Sequence, residues 1–262
     1  MTAPPEHGCD LVDLGDGSYV LRTAPYLLNA GLVVGSERAL LIDTGGGPRQ
    51  ATAILEAVRS VTCAPLVVVN THAHLDHWFG NATLREAGAG PFLAHPDAIA
   101  AMTATYATQR DAWTATYPDA ADALCDPAET PASGARVDLG GRVVEVRFLG
   151  VGHTDGDLVV LAGATLFAGD LVEQGADPDF GDSDPRAWVR TLDALAALAG
   201  ESAVAQVVPG HGAVVDAAFV RAERDRLAEA IAILDAGAAD VLPHGTLPYG
   251  PEPAAHLRRR VR

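Results

Sequence analysis

The chain has 262 residues, 48% of them hydrophobic and 20% charged, with 18 basic against 34 acidic residues and a formal net charge of −16. That length can hold a substantial core, in one large domain or two small ones. The acidity works against a nucleic-acid partner: every basic residue is Arg, and the only dense group is Arg258, Arg259, Arg260 and Arg262 at the C-terminus. No apolar run reaches the roughly 18 residues of a membrane span, so no membrane association is expected. Met1-Thr2-Ala3-Pro4-Pro5-Glu6 lacks the basic region and apolar core of a signal peptide, so a cytoplasmic address is expected. Cys9, Cys63 and Cys125 are odd in number and widely spaced, which argues against a disulfide framework.

The first 43 residues read as hairpin strands. Asp10–Leu14, Ser18–Arg22, Leu28–Gly35 and Ala39–Asp43 are separated by Gly15-Asp16-Gly17, Pro25 and Ser36-Glu37, the residues that turns favour. Leu41-Ile42-Asp43-Thr44-Gly45-Gly46-Gly47 ends a buried strand in a glycine loop, without the Lys-Ser/Thr ending of a phosphate-binding P-loop. Pro48 suits the first position of a helix through about Ser60, with Ile54, Leu55, Val58 and Val61 on one face. A strand over 66–70, a helix over Trp78–Ala87 and a short strand over Pro91–His95 follow, an α/β rhythm. Residues 97–133 are alanine-rich and polar, with Met102, Tyr106, Trp113 and Tyr117 at roughly helical spacing. They read as a helical insertion that either packs on the body or forms a lid over a cleft.

Strands resume with Arg136–Leu139, Val143–Leu149, Asp157–Leu161 and Thr165–Ala168. The acidic loop Glu173–Asp184 precedes a helix that Asp184 caps and Pro185 starts, with Trp188, Leu192, Leu195 and Leu198 inward. Ala205–Val208 is a further buried strand, and Asp216 caps a last helix through about Leu234. The arginine-rich C-terminus reads as a solvated end. No linker divides the chain, so residues 1–262 are expected to form one domain.

The stretch that carries chemistry is Asn70-Thr71-His72-Ala73-His74-Leu75-Asp76-His77, directly after Leu66-Val67-Val68-Val69. Residues two apart on a helix point about 200° from each other, so His72 and His74 share a side only on extended backbone. Imidazole and carboxylate are typical zinc ligands, and one turn seldom supplies all that a catalytic site needs. Further ligand types stand after other strands: His153 in the glycine-rich loop 150–156, Asp170 after Phe167-Ala168-Gly169, and His211 in Pro209-Gly210-His211-Gly212. A lone histidine at such a place is more often a structural hydrogen-bonder. Seven ligand-type residues together, all at strand ends, suffice for two metals.

These residues resemble the ordered motifs of the metallo-β-lactamase superfamily: His72-x-His74-x-Asp76-His77, then His153, Asp170 and His211, with Leu41-Ile42-Asp43-Thr44-Gly45 before them. The resemblance covers about residues 10–235 and implies an α/β fold, a four-layer αββα sandwich with metals at one sheet edge. By the same resemblance His72, His74 and His153 would bind a first divalent ion, and Asp76, His77 and His211 a second. Asp170 would bridge both, and Asp43 would support the histidine turn from behind. Zinc is the expected ion, with iron or manganese also compatible with these donors.

Two cations about 3.5–4 Å apart can share a water and bring its pKa from ~15.7 toward ~7, so hydroxide is available at neutral pH. Asp76 would bind the second ion and accept a hydrogen bond from that hydroxide. No Gly-x-Ser-x-Gly motif occurs, so a serine nucleophile is not expected. The expected reaction is hydrolysis of an ester, thioester or lactone in a small molecule. A mononuclear iron enzyme resembling persulfide dioxygenases and a β-lactamase are the alternatives, and the intact ligand set argues against a non-enzymatic binding protein. Tyr26, Trp78, Phe79, Tyr106, Trp113 and Phe180, on loops and helices near the histidine turn, are expected to line a partly apolar cleft. His244 and His256 are expected at the surface.

Overall fold

Positive φ angles at Asp16 (50°) and Gly17 (64°) turn the first hairpin, so the Gly-Asp-Gly stretch acts as its composition suggests. The computed structural model describes residues 8–24, 27–116, 118–201, 203–237 and 245–262. Strands β1 (Cys9–Gly15), β2 (Ser18–Thr23), β3 (Leu28–Val34) and β4 (Ala39–Ile42) form an antiparallel meander. Helix α1 (Pro48–Val61) has proline in its first turn and buries Ala51, Ile54 and Val58. It leads to β5 (Leu66–Val69), parallel to β4.

The helix expected over 78–87 begins earlier and breaks at Gly80, giving α2 (Leu75–Trp78) and α3 (Asn81–Glu86). A β-carbon at Gly80 would overlap the Thr44 carbonyl, and Gly80 N–H donates to Gly45 O at 3.0 Å. The glycine loop therefore packs backbone to backbone against the start of α3. Strand β6 (Phe92–Ala94) lies parallel to β5.

Only the first half of the 97–133 segment is α-helical, as α4 (Pro96–Trp113). A short 3₁₀ turn over Pro118–Asp122 follows, and β7 (Thr130–Pro131) then joins the sheet edge beside β6.

Strands β8 (Gly134–Asp138), β9 (Val143–Phe148), β10 (Leu158–Ala162) and β11 (Thr165–Glu173) pair antiparallel in sequence order. Helix α5 (Pro185–Ala199) carries β12 (Gln206–His211) to lie parallel to β11, which extends β11 beyond the expected Ala168. Helices α6 (Ala217–Ala236) and α7 (Pro251–Val261) complete the described structure. Asp184 and Asp216 cap α5 and α6 as expected, accepting from Ala187 N–H and Phe219 N–H. Arg259, Arg260 and Arg262 are exposed, as a solvated end requires, but they stand on a helix: Ala254, Leu257 and Val261 recur at helical spacing and pack into a core with α5 and α6. All three cysteines are unpaired, and Cys63 and Cys125 are exposed.

The strands form two halves, β1 to β7 and β8 to β12, joined where Leu28 of β3 bridges His211 of β12. Apolar residues separate into three cores, as four layers require. The middle core holds Val33, Leu40, Ile42, Val69, Val160, Phe167 and Val208 from both halves. An outer core lies under α1, α3 and α4, with Ile54, Val58, Trp78 and Met102, and the other under α5, α6 and α7, with Trp188, Leu195, Leu227 and Leu257. Each such side chain contributes roughly 1.5–3 kcal/mol on burial. A β-carbon at Gly31 would stand 2.6 Å from the Phe167 ring, so this glycine lets the two halves close. The architecture is the expected αββα sandwich.

Among the described residues no helix is long and apolar enough to cross a membrane.

Candidate metal centre

The ends of β4, β5, β11 and β12 reach one rim of the sandwich, together with the loop between β9 and β10. All seven expected ligands meet there, in two groups: His72, His74, His153 and Asp170, and Asp76, His77 and His211. Asp170 is central. Its carboxylate oxygens lie 3.3 Å from His77 Nε2, 3.5 Å from His211 Nε2, 3.6 Å from His153 Nε2 and 3.7 Å from His72 Nε2. Asp76 Oδ2 lies 3.3 Å from His211 Nε2 and 3.7 Å from His77 Nε2.

The surrounding hydrogen bonds decide which ring nitrogen faces the cluster. A carboxylate only accepts, so His77 Nδ1, 2.8 Å from Asp43 Oδ2, carries its proton there and presents Nε2 inward. Thr71 Oγ1 also donates to Asp43 Oδ2, at 2.8 Å, which leaves its oxygen to accept from His72 Nδ1 at 3.0 Å. His72 thus presents Nε2 as well. Asp43 Oδ1 accepts from Thr71 N–H at 2.7 Å, holding the backbone at the start of the turn. His74 is oriented the other way: its Nε2 donates to Asp182 at 3.1 Å, and its Nδ1 faces His153 Nε2 at 2.8 Å. Such outer partners fix tautomer and ring orientation in metal sites.

The donor set fits a metal. His72 Nε2, His77 Nε2 and Asp170 Oδ1 are buried with no hydrogen-bond partner, although such atoms are costly to leave unsatisfied. Burial and the neighbouring His77 hold His72 well below the usual histidine range, and burial and His74 lower His153 to about 4, so both are neutral donors. Burial opposes ionisation of Asp76, yet His77 and His211 outweigh it and hold the carboxyl at about 2. Burial likewise opposes ionisation of Asp170, and His77, His211 and His72 bring it well below the usual carboxylate range. Against the lowering effect of burial, Asp170 and Asp76 raise His77 and His211 well above theirs. The two carboxylates thus demand positive charge, which bound cations supply while releasing protons.

Several supports escape a reading of the sequence. Asn29 Nδ2 donates to Pro209 O and Gly212 O, both at 2.9 Å, and so clamps the turn that carries His211. Asn70 Nδ2 donates to His77 O at 2.9 Å, closing the histidine turn. Trp188 packs edge-on against His153, with ring centroids 5.4 Å apart. Asp182 stands in a loop far along the chain, and nothing in its local sequence marks it as the partner of His74.

A cleft of about 710 Å³ opens over the ligands. Leu75 and the α4 residues Ala104, Thr105, Thr108, Gln109 and Trp113 form one wall, and the loop from Glu173 to Asp182 forms the other. Of the aromatic residues expected to line it, Trp113 does. Trp78, Phe79 and Phe180 do not: they are fully buried in the outer cores, where their apolar area leaves water. Trp78 acts from behind, its Nε1 donating to Ala73 O at 3.1 Å. Tyr106 donates its hydroxyl to Ala123 O at 2.7 Å and packs on Phe79. Tyr26 and His244 lie outside the described residues. His256 is partly exposed and pairs with Asp179 at 3.3 Å.

Comparison with known proteins agrees with this geometry. The sequence model of the Metallo-beta-lactamase superfamily matches residues 25–211. The chain is 28% identical over 224 residues to the Acyl-coenzyme A thioesterase MBLAC2 of Gallus gallus, covering 76% of this chain and 78% of that protein. Its Bos taurus counterpart is 29% identical, with 76% and 79% covered. Among solved structures, a metallo-beta-lactamase from Pontibacter korlensis superposes with a TM-score of 0.65 at 22% identity, covering 84% of this chain and 99% of that one. The FIM-1 metallo-beta-lactamase from Pseudomonas aeruginosa, in its mono-zinc form, gives 0.67 at 20% identity, with 86% and 98% covered. At these identities the structures speak for the fold alone. With the family match spanning β3 to β12 and the ligands gathered at one rim, the chain belongs to the metallo-β-lactamase superfamily and is a metal-dependent hydrolase.

Proposed function

We propose that the enzyme hydrolyses an ester, thioester or lactone bond of a small, uncharged acyl substrate at a centre of two divalent ions. The observation that carries this reading is Asp170, one carboxylate within 3.3–3.7 Å of imidazoles from both ligand groups. His72, His74 and His153 would hold one ion, Asp76, His77 and His211 the other, with Asp170 shared. Bound there, divalent ions supply a lowered water pKa and positive charge against a developing oxyanion. Zinc suits this donor set, as iron or manganese would.

The chain's own part is positioning. Asp76, held ionised by its imidazole neighbours, accepts a hydrogen bond from the attacking water and so orients it. Trp113, Leu75 and Ala104 receive the acyl portion. Among the described residues lining the cleft there is no arginine, whereas Asp179 and Asp182 line it beside the candidate ligands Asp76 and Asp170. This favours uncharged leaving groups over phosphate-bearing ones. The relatives named acyl-coenzyme A thioesterases support the thioester bond.

The test is an activity panel on protein with its metals quantified: p-nitrophenyl esters, lactones, and matched acyl thioesters of N-acetylcysteamine and coenzyme A. Activity is expected with two metals bound, with kcat/KM higher for the uncharged thioester, and none in His74→Ala. Equal activity in that variant would refute the site. Failure on every acyl substrate, with oxygen uptake on a persulfide that tracks bound iron, would replace hydrolysis with the dioxygenase reading.

A further inference from the structure

One contact connects the ligand cluster to the C-terminus. Asp182 accepts from His74 Nε2 at 3.1 Å and is the only carboxylate hydrogen-bonded to that ring among the described residues. It lies in the segment between β11 and α5, which has no helix or strand to hold it. Its support comes from elsewhere in the chain.

Gly181 O, one residue before Asp182, accepts from Arg260 Nε of α7 at 2.9 Å and also from Nη2 of that guanidinium. Asp179 pairs with His256, one turn earlier on α7, at 3.3 Å. Asp177 accepts from Gly250 N–H at 2.7 Å and from Arg226 Nη2 of α6 at 2.6 Å. Phe180 is clamped between Trp188 and Tyr249, with centroids 5.6 and 5.1 Å away. α7 is itself anchored, through Leu257 in the core and through Val261 O, which accepts from Arg186 of α5 at 3.3 Å.

We infer that Asp182 is a positioning residue for His74, and that α7 acts as a strap that holds the loop 177–182, and with it Asp182, against the metal centre. The inference rests on the metal reading of the seven-residue cluster. Asp182 makes Nδ1 the free donor of His74, since the bond consumes the proton at Nε2. Without it the ring can adopt the other tautomer, with its proton on Nδ1, or turn toward the cleft. Its carboxylate is more than half exposed, so its loss leaves the core intact. Arg260, one of the arginines that read as a solvated end, thereby gains a structural task.

The experiment uses the full chain, with zinc affinity measured by competition against a fluorescent chelator and with the visible spectrum of cobalt-substituted protein. Asp182→Ala should weaken one of the two zinc equivalents by about 10–100-fold and leave the other unchanged. Its cobalt spectrum should shift, and Asp182→Glu should restore part of the affinity. Arg260→Ala should weaken the same equivalent by about fivefold, the loss of both guanidinium hydrogen bonds to one shared carbonyl oxygen, with helix content unchanged. Wild-type affinity for both ions in Asp182→Ala, or equal weakening of both, would overturn the role of Asp182. Unchanged affinity in Arg260→Ala would overturn the strap. A wild-type protein that takes up no zinc, cobalt, iron or manganese would overturn the metal reading itself, a result distinct from the others.

Discussion

Asp43→Asn isolates how one buried carboxylate sets the donors of two ligands. Asp43 has φ of 62°, a left-handed conformation that Asn tolerates, so the substitution changes charge and hydrogen bonding without a new backbone penalty. One oxygen remains to accept from Thr71 N–H. The amide nitrogen then replaces Oδ2, the acceptor for both Thr71 Oγ1 and His77 Nδ1. To avoid two donors facing each other, His77 must move its proton to Nε2 and Thr71 must turn its hydroxyl toward His72 Nδ1. That moves the His72 proton to Nε2 as well, so both inward nitrogens become donors and clash with a cation. Exchanging two charge-assisted bonds for neutral ones costs about 2 kcal/mol in the metal-free protein. Zinc affinity should fall about 10–100-fold or more, since a single such partner is worth that much. Urea unfolding of stripped protein and chelator competition on loaded protein measure the two effects separately. Wild-type zinc affinity in Asp43→Asn would refute the tautomer chain, whatever the stability change. Asp43→Ala should be worse in stability, since it leaves three donors unpaired and costs a further ~1–2 kcal/mol of left-handed strain.

Three other outcomes are expected. Gly210→Ala builds a β-carbon that overlaps Asp170 Oδ1, so it should displace the shared carboxylate, cost about 1–3 kcal/mol and lower metal content per chain by atomic absorption. Trp113→Ala removes an apolar wall of the cleft and should raise KM for acyl esters about fivefold with kcat unchanged, whereas unchanged KM would make α4 only a packing element. Glu223 is held by burial at about 8, so its folded-state pKa exceeds its unfolded one, and its contribution to stability is lost as pH rises from about 4.5 to about 8. Glu223→Gln should therefore gain on the wild type across that window, by up to about 1.4 kcal/mol per pH unit, and a pH-independent difference in urea midpoints would count against this.

The candidate ligands were legible in the sequence because a metal constrains residue type and a strand end constrains place. Each of His72, His153, Asp170 and His211 follows or closes an apolar run, and a glycine marks most of these turns. The hairpins, α1, α5 and α6 were legible for a similar local reason: turn residues, caps and apolar spacing act over a few residues. The break at Gly80 was not, because its cause is the Thr44 carbonyl, far away in sequence. Nor was the fate of Trp78, Phe79 and Phe180, since an aromatic residue beside a ligand turn can face a cleft or a core, and only the packing of α4 and α5 decides which. The weak apolar pattern of α7, two alanines, a leucine and a valine around three arginines, becomes a helix only when α5 and α6 offer it a surface. By itself the sequence marked the candidate metal centre, because coordination chemistry admits few residue types. The tertiary structure decided what orients that centre, Asp182, Asn29 and the Arg260 strap, because hydrogen bonds between distant segments leave no local signature in either one.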